Sequence, residues 1–176
     1  MRLFVAAAAA IFFVIPSRAT PVFTNFKSGP FLGCAVDGAN SNEGVATACA
    51  AAFTPLADYL MTDVQVEVGG GAEAADPDFD FFLYSDNGGL PGSSLGEIGS
   101  GVDVASLPSF GIVTVNSPAL SLSSGTEYWL VIAPHDDNTS VAWASGGNST
   151  PPTALDISWP GSDWVVQEVS SQFEID

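Results

Sequence analysis

In the stretch YLMTDVQVEV, residues 59–68, apolar and polar side chains take turns: Leu60, Val64, Val66 and Val68 share one face, and Asp63, Gln65 and Glu67 point the other way. A period of two specifies a strand with one face buried and one face wet. Comparable runs recur along the chain as PVFTNF, FLGCAV, VATACAAAF, DFDFFLYS, LGEIGSGVDV, FGIVTVN, EYWLVIAP, SVAWAS, ALDISW, WVVQEV and QFEI, each bounded by Gly, Pro, Asn, Asp or Ser. About ten short antiparallel strands at such close spacing predict an all-β sandwich. The alanine-rich stretch over residues 46–52 carries the weakest strand signal, because alanine is depleted in sheets. No segment after residue 20 holds a helical apolar period, and no internal repeat or linker divides it.

The first residues follow a different pattern. Arg2 precedes an apolar run from Leu3 to Ile15, then Pro16 and the small residues Ser17 and Ala19, the layout of a secretory leader with cleavage between Ala19 and Thr20. As a helix that run rises only about 20 Å, short of the ~30 Å hydrocarbon core, so a lasting anchor is the poorer reading. The expected organisation is a signal peptide over 1–19 and one secreted or periplasmic domain over 20–176, with no stable membrane insertion after cleavage. A chain of that size buries roughly 70% of its unfolded surface around one core.

Cleavage would also remove Arg2 and Arg18, leaving Lys27 as the single Lys or Arg against 20 Asp and Glu, a formal −19. Such a surface repels nucleic acid and anionic lipid. It reads equally as a solvating face for an exported protein and as adaptation to salt or divalent cations. Cys34 and Cys49 flank the turn-rich DGANSNEG, so the chain can fold back with the two opposite each other on neighbouring strands. In an oxidising compartment a disulfide between them is expected; two free thiols or a metal pair are the alternatives.

Behind the strand carrying Phe79, Phe81 and Leu83, SDNGG supplies residues that tolerate positive φ, and LPG predicts a second, rigid bend. Asp86 and Asn87 are the ligand candidates of this loop. The segments LYSDNGGLPGSSL, LSLSSGTEYWLVIAP, VAWASGG and SQFEID, spread over roughly residues 46–176, resemble the secreted bacterial choice-of-anchor β-sandwich domains, many of which carry a PEP-CTERM sorting tail. SDNGGLPG and GTEYWLVI are the most specific parts. The resemblance implies a jelly-roll-like sandwich displayed outside the cytoplasmic membrane of a Gram-negative bacterium. The chain ends at Asp176 without a Pro-Glu-Pro motif, apolar helix or basic cluster, which predicts release into the periplasm or medium.

The remaining candidates carry chemistry. Asp76, Asp78 and Asp80 alternate in DPDFD, but same-face neighbours on a strand lie about 6.6 Å apart, whereas calcium ligands must sit within about 5 Å of one another. A straight strand therefore cannot converge all three on calcium, the one cofactor these residues could take, and an acidic edge that blocks strand addition is the expectation. His135, the only histidine, lies in PHDDNTS beside Asp136 and Asp137, with no GxSxG-type nucleophile elbow to make a relay of them. Some pair among 20 acids will always suit glycoside cleavage, so that pattern assigns no catalytic residue.

Trp129 and Trp143 sit inside strands and are expected in the core. In ALDISWPGSDWVVQEV a four-residue PGSD turn would pair Trp159 with Trp164 and Ile157 with Val166 on one face. Both indoles then either cap the core or form a platform for a sugar ring. The sequons at Asn138 and Asn148 read as ordinary turns. The expected function is a non-catalytic exported adhesion, matrix or carbohydrate-contacting module, partnered by extracellular polysaccharide or a cell-surface protein. A purely structural envelope component and a carboxylate-based exported hydrolase are the other readings.

Overall fold

A computed structural model of the chain describes residues 23–24, 32–41, 44–70, 76–107, 109–147, 153–156, 163–167, 169–171 and 173–175. These residues contain no helix, and the leader expected over residues 1–19, with its Ala19–Thr20 junction, lies outside them. One sheet is built, in order, from β2 (Leu32–Asp37), β9 (Ser140–Gly147), β4 (Tyr59–Gly70) and β7 (Gly111–Leu122). The other runs β3 (Ala48–Phe53), β8 (Tyr128–Pro134), β5 (Asp78–Asp86) and β6 (Pro91–Asp103). Short strands β1 (Phe23–Thr24), β12 (Val169–Ser171) and β13 (Phe173–Ile175) extend the first sheet; β10 (Thr153–Asp156) and β11 (Trp164–Gln167) extend the second.

All these ladders are antiparallel, and the pairings β2–β9, β3–β8, β4–β7 and β5–β6 nest inside one another while alternating between the sheets. That nesting is a long hairpin rolled into two layers, the jelly-roll order. The fold is thus the expected sandwich, and ten of its described strands, β2 to β11, are four residues or longer.

Alternation puts Val64, Val66 and Val68 of β4 between the layers, fully buried against Phe79, Phe81 and Leu83 of β5, Phe173 of β13 and Trp143 of β9. Phe81 and Phe173 both meet the Trp143 ring, with centroids 6.2 and 6.1 Å away. Each fully buried side chain of this size contributes about 1.5–3 kcal/mol of apolar transfer. Leu60 does not join them: the β4–β7 register shifts between Met61 and Asp63, so Met61 turns inward and Leu60 stays 55% exposed. Across the shift β4 advances two residues while β7 advances four, and Met61 and Val64, three positions apart, both face the core.

The alanine run folds as β3, and its composition follows from burial on both faces. Cys49, Ala51 and Phe53 face the main core, while Ala48, Ala50 and Ala52 join Trp129, Val131 and Ala133 of β8 in a second apolar cluster on the other side of the sheet. Ala52 lies directly opposite Trp129, where a larger side chain would compete with the indole. Trp129 and Trp143 are both wholly buried, as expected.

Cys34 and Cys49 form a disulfide with Cα atoms 6.2 Å apart. Thr47 and Asp37 exchange backbone hydrogen bonds next to the turn. Beyond that bridge β2 and β3 part into different sheets, so the bond ties the two layers together and does not link adjacent strands of one sheet. A covalent link of this kind accords with an oxidising compartment. Among the described residues no helix is long and apolar enough to cross a membrane.

Candidate functional site

The turn after β5 shapes one wall of an open cleft of about 650 Å³. Asn87 N–H donates to the Leu90 carbonyl over 2.8 Å, and Gly88 and Gly89 take φ values of 68° and 87°, a left-handed conformation that side chains disfavour. LPG makes no second bend: Pro91 and Gly92 already open β6, with Pro91 paired to Asp86. Gly92 is required by proximity, since a Cβ there would meet Ser85 Oγ at 2.8 Å and Asn87 Cβ at 3.1 Å.

Asp86 organises this turn. Its Oδ1 accepts hydrogen bonds from Gly89 N–H at 3.0 Å and from the buried Trp129 Nε1–H at 3.0 Å, and Oδ2 accepts from Gly88 N–H at 3.1 Å. Burial works to raise the Asp86 pKa, but the Trp129, Gly89, Glu127 and Gly88 donors together outweigh it and hold the carboxyl below its ordinary value. Glu127 shows the converse: burial first, then its hydrogen bond to Asp86 and that residue's charge, push its pKa up. The β5–β8 register explains the meeting, for Tyr84 pairs with Trp129 and two steps on places Asp86 beside Glu127. Glu127 was not legible as a site residue, because that register is a property of strand order.

The opposite wall is Asp163 and Trp164, at the start of β11. The structure therefore joins two separately expected candidates, the Asp86–Asn87 loop and the Trp164 indole, in one cleft, and adds Ser85, Ser93 and Asp163 to them. Trp159 lies outside the described residues. The pairing expected of it is overturned: Asp156 lies opposite Trp164, and Ala154 opposite Val166. The register of β10 is held on its other edge by β3, with Asp156 opposite Ala48 and Leu155 opposite Cys49. This puts Trp164, half-buried, on the face of the alanines and Trp129, where small side chains leave room for an indole.

A second polar corner lies at the far end of β5. His135 Nδ1 pairs with Asp80 Oδ1 over 2.8 Å, and not with its chain neighbours Asp136 and Asp137. The same oxygen of Asp80 accepts from Ser100 Oγ–H at 2.7 Å and Gly101 N–H at 3.0 Å. Asp80 has left the DPDFD trio, as strand spacing requires, and the trio is completed from elsewhere: Asp76, Asp78 and Asp136 each offer a carboxylate oxygen within 4.8 Å of the other two. Oxygens at that spacing could bind a calcium-sized cation.

Thr139, fully buried, builds this corner. Its hydroxyl accepts from His135 N–H and Asp136 N–H and donates to Asp78 Oδ1 at 3.3 Å. Gly38 N–H donates to the Thr139 carbonyl, and a Cβ on Gly38 would strike the Asp136–Asp137 backbone, so the glycine is what lets the end of β2 press on this loop. Burial chiefly, and then Asp76, raise the Asp78 pKa. Asn138 sits in the same turn, its N–H bound to Asp136 Oδ1 at 2.7 Å; Asn148 is outside the described residues. Comparison with protein-family models, curated proteins and solved structures finds no match to this chain.

Proposed function

We propose that the protein is a non-catalytic exported sandwich that binds extracellular polysaccharide through the cleft between the Asp86 turn and Trp164. The observation that carries this reading is the convergence, in one open cleft of about 650 Å³, of a half-buried indole with the hydroxyls of Ser85 and Ser93 and the amide of Asn87. A sugar ring offers an apolar face and a rim of hydroxyls, and such a cleft answers both. Export is supported by the leader-like first 19 residues and by the disulfide. The likeness to choice-of-anchor domains supports display outside the cytoplasmic membrane.

One contact favours binding over hydrolysis. Ser100 donates to Asp80 and not to His135, which leaves its hydroxyl without a histidine base.

A glycan array probed with the purified protein tests the proposal. Binding to a defined set of glycans, lost in Trp164→Ala with an unchanged circular dichroism spectrum, is the expected result. An array silent for the native protein overturns it and leaves the structural envelope reading.

A further inference from the structure

The charge pattern around the cleft narrows the class of glycan, and this step rests on the carbohydrate reading above. Every Lys and Arg of the chain precedes residue 28, so none lies among the described residues that follow β1. The single histidine is bound to Asp80, and Asp80 is six positions from Asp86 along β5, about 20 Å at the rise of a strand. No cationic side chain among the described residues therefore faces the cleft.

Carboxylates surround it instead. Asp86 forms part of one wall and Asp163 part of the other, next to the indole. Asp86 is fixed in place by three N–H donors, from Trp129, Gly88 and Gly89, which also favour its ionised form. Glu127, just before β8, follows next to it in the β5–β8 register. A uronate, sulfate or phosphate sugar would bring a second negative charge into this field without any counter-charge among the described residues. A neutral sugar would gain nothing from the field. A protonated amine gains twice, from the carboxylates and from the face of the Trp164 ring.

We propose that the cleft selects glycans bearing free amines, seating an ammonium group between the Trp164 indole and the Asp86 wall, over their acetylated, neutral or acidic counterparts. Ser85, Ser93 and Asn87 remain available to the ring hydroxyls. Selectivity then comes mainly from the amine, and contact with the hydroxyls is shared by all sugars of similar shape.

The test is calorimetric titration of the full chain with three tetrasaccharides: β-1,4-linked glucosamine, its N-acetylated counterpart and galacturonate. The glucosamine tetramer should saturate one site and bind about tenfold or more tighter than the acetylated one, with no binding of the galacturonate. Trp164→Ala should abolish the difference, while Asp78→Asn, in the distant acidic corner, should preserve it. Equal or tighter binding of the acetylated tetramer overturns the amine selectivity and leaves carbohydrate binding intact. Failure of all three tetramers, together with a silent array, removes both. Undiminished glucosamine binding by Trp164→Ala would mean adsorption to the acidic surface at large and also overturns the proposal.

Discussion

Trp129 Nε1–H donates to Asp86 Oδ1 over 3.0 Å, and through this bond a fully buried indole of β8 holds the turn that shapes the cleft. Asp86→Ala removes that acceptor together with the ones serving Gly88 and Gly89. A buried N–H left without a partner costs about 1–3 kcal/mol, whereas the glycine amides can turn to water. Urea denaturation should therefore show Asp86→Ala losing about that amount, and Asp86→Asn, which retains one carbonyl oxygen, losing less. The alanine variant should also bind glycan poorly, because its turn is no longer pinned. Equal stability of both variants with the native protein would show that the bond contributes nothing to the fold.

The Cys34–Cys49 bond spans the two layers and closes a loop with a sequence separation of 15. Chain entropy alone assigns such a loop about 3 kcal/mol. Replacing both cysteines by alanine should cost roughly that, and adding reductant to the native protein should move its denaturation midpoint toward that of the double variant. A midpoint insensitive to reductant, with the bond verified by mass spectrometry before and after, would contradict the prediction.

Much of the architecture was legible because alternation is local. Val64, Val66 and Val68, like Phe79, Phe81 and Leu83, announce their buried faces within a few residues, and the glycines after Asp86 announce their turn. What escaped reading depends on partners far along the chain. The bulge that turns Met61 inward and Leu60 outward is a feature of the β4–β7 ladder. Trp164 lies opposite Asp156 and not Trp159 through the offset of the β10–β11 ladder, which neither segment reveals by itself. Asp86 and Trp164 could each be picked out as a candidate, but only the jelly-roll order brings them to one cleft. Asp136 completes an acidic trio for the same reason: Thr139 and the Asp76 backbone bridge two segments that sequence distance separates.

In that trio Asp78 is held above its ordinary pKa, first by burial and then by Asp76. A raised folded-state pKa means that the native protein binds the proton more tightly than the unfolded chain. The associated stability is present in acid and is lost as pH rises through the folded value. Asp78→Asn, which keeps an acceptor for Thr139, should therefore raise the melting temperature at neutral pH in metal-free buffer by a few degrees at most, with the gain fading below about pH 4. Calcium provides an internal check: if it occupies the trio, the sign inverts in its presence, since the substitution then removes a ligand. A variant less stable than the native protein in metal-free buffer at neutral pH would sink the repulsion argument.

His135 adds a second pH dependence in a separate window. The hydrogen bond to Asp80 raises its pKa, burial opposes the shift, and the charges of Asp80, Asp78 and Asp136 reinforce it. The folded protein therefore favours the imidazolium. The resulting stability is complete below the unfolded value, near 6.5, and disappears as pH climbs through the folded one. The imidazole is 41% exposed, so the effect is modest and should shrink with added salt. Melting temperatures recorded between about pH 5.5 and 8.5 should fall for the native protein. His135→Gln and Asp80→Asn should each flatten that fall, the first by removing the titrating group and the second by removing its anion. An identical slope in His135→Gln would place the pH dependence elsewhere, among the other groups that titrate in this range.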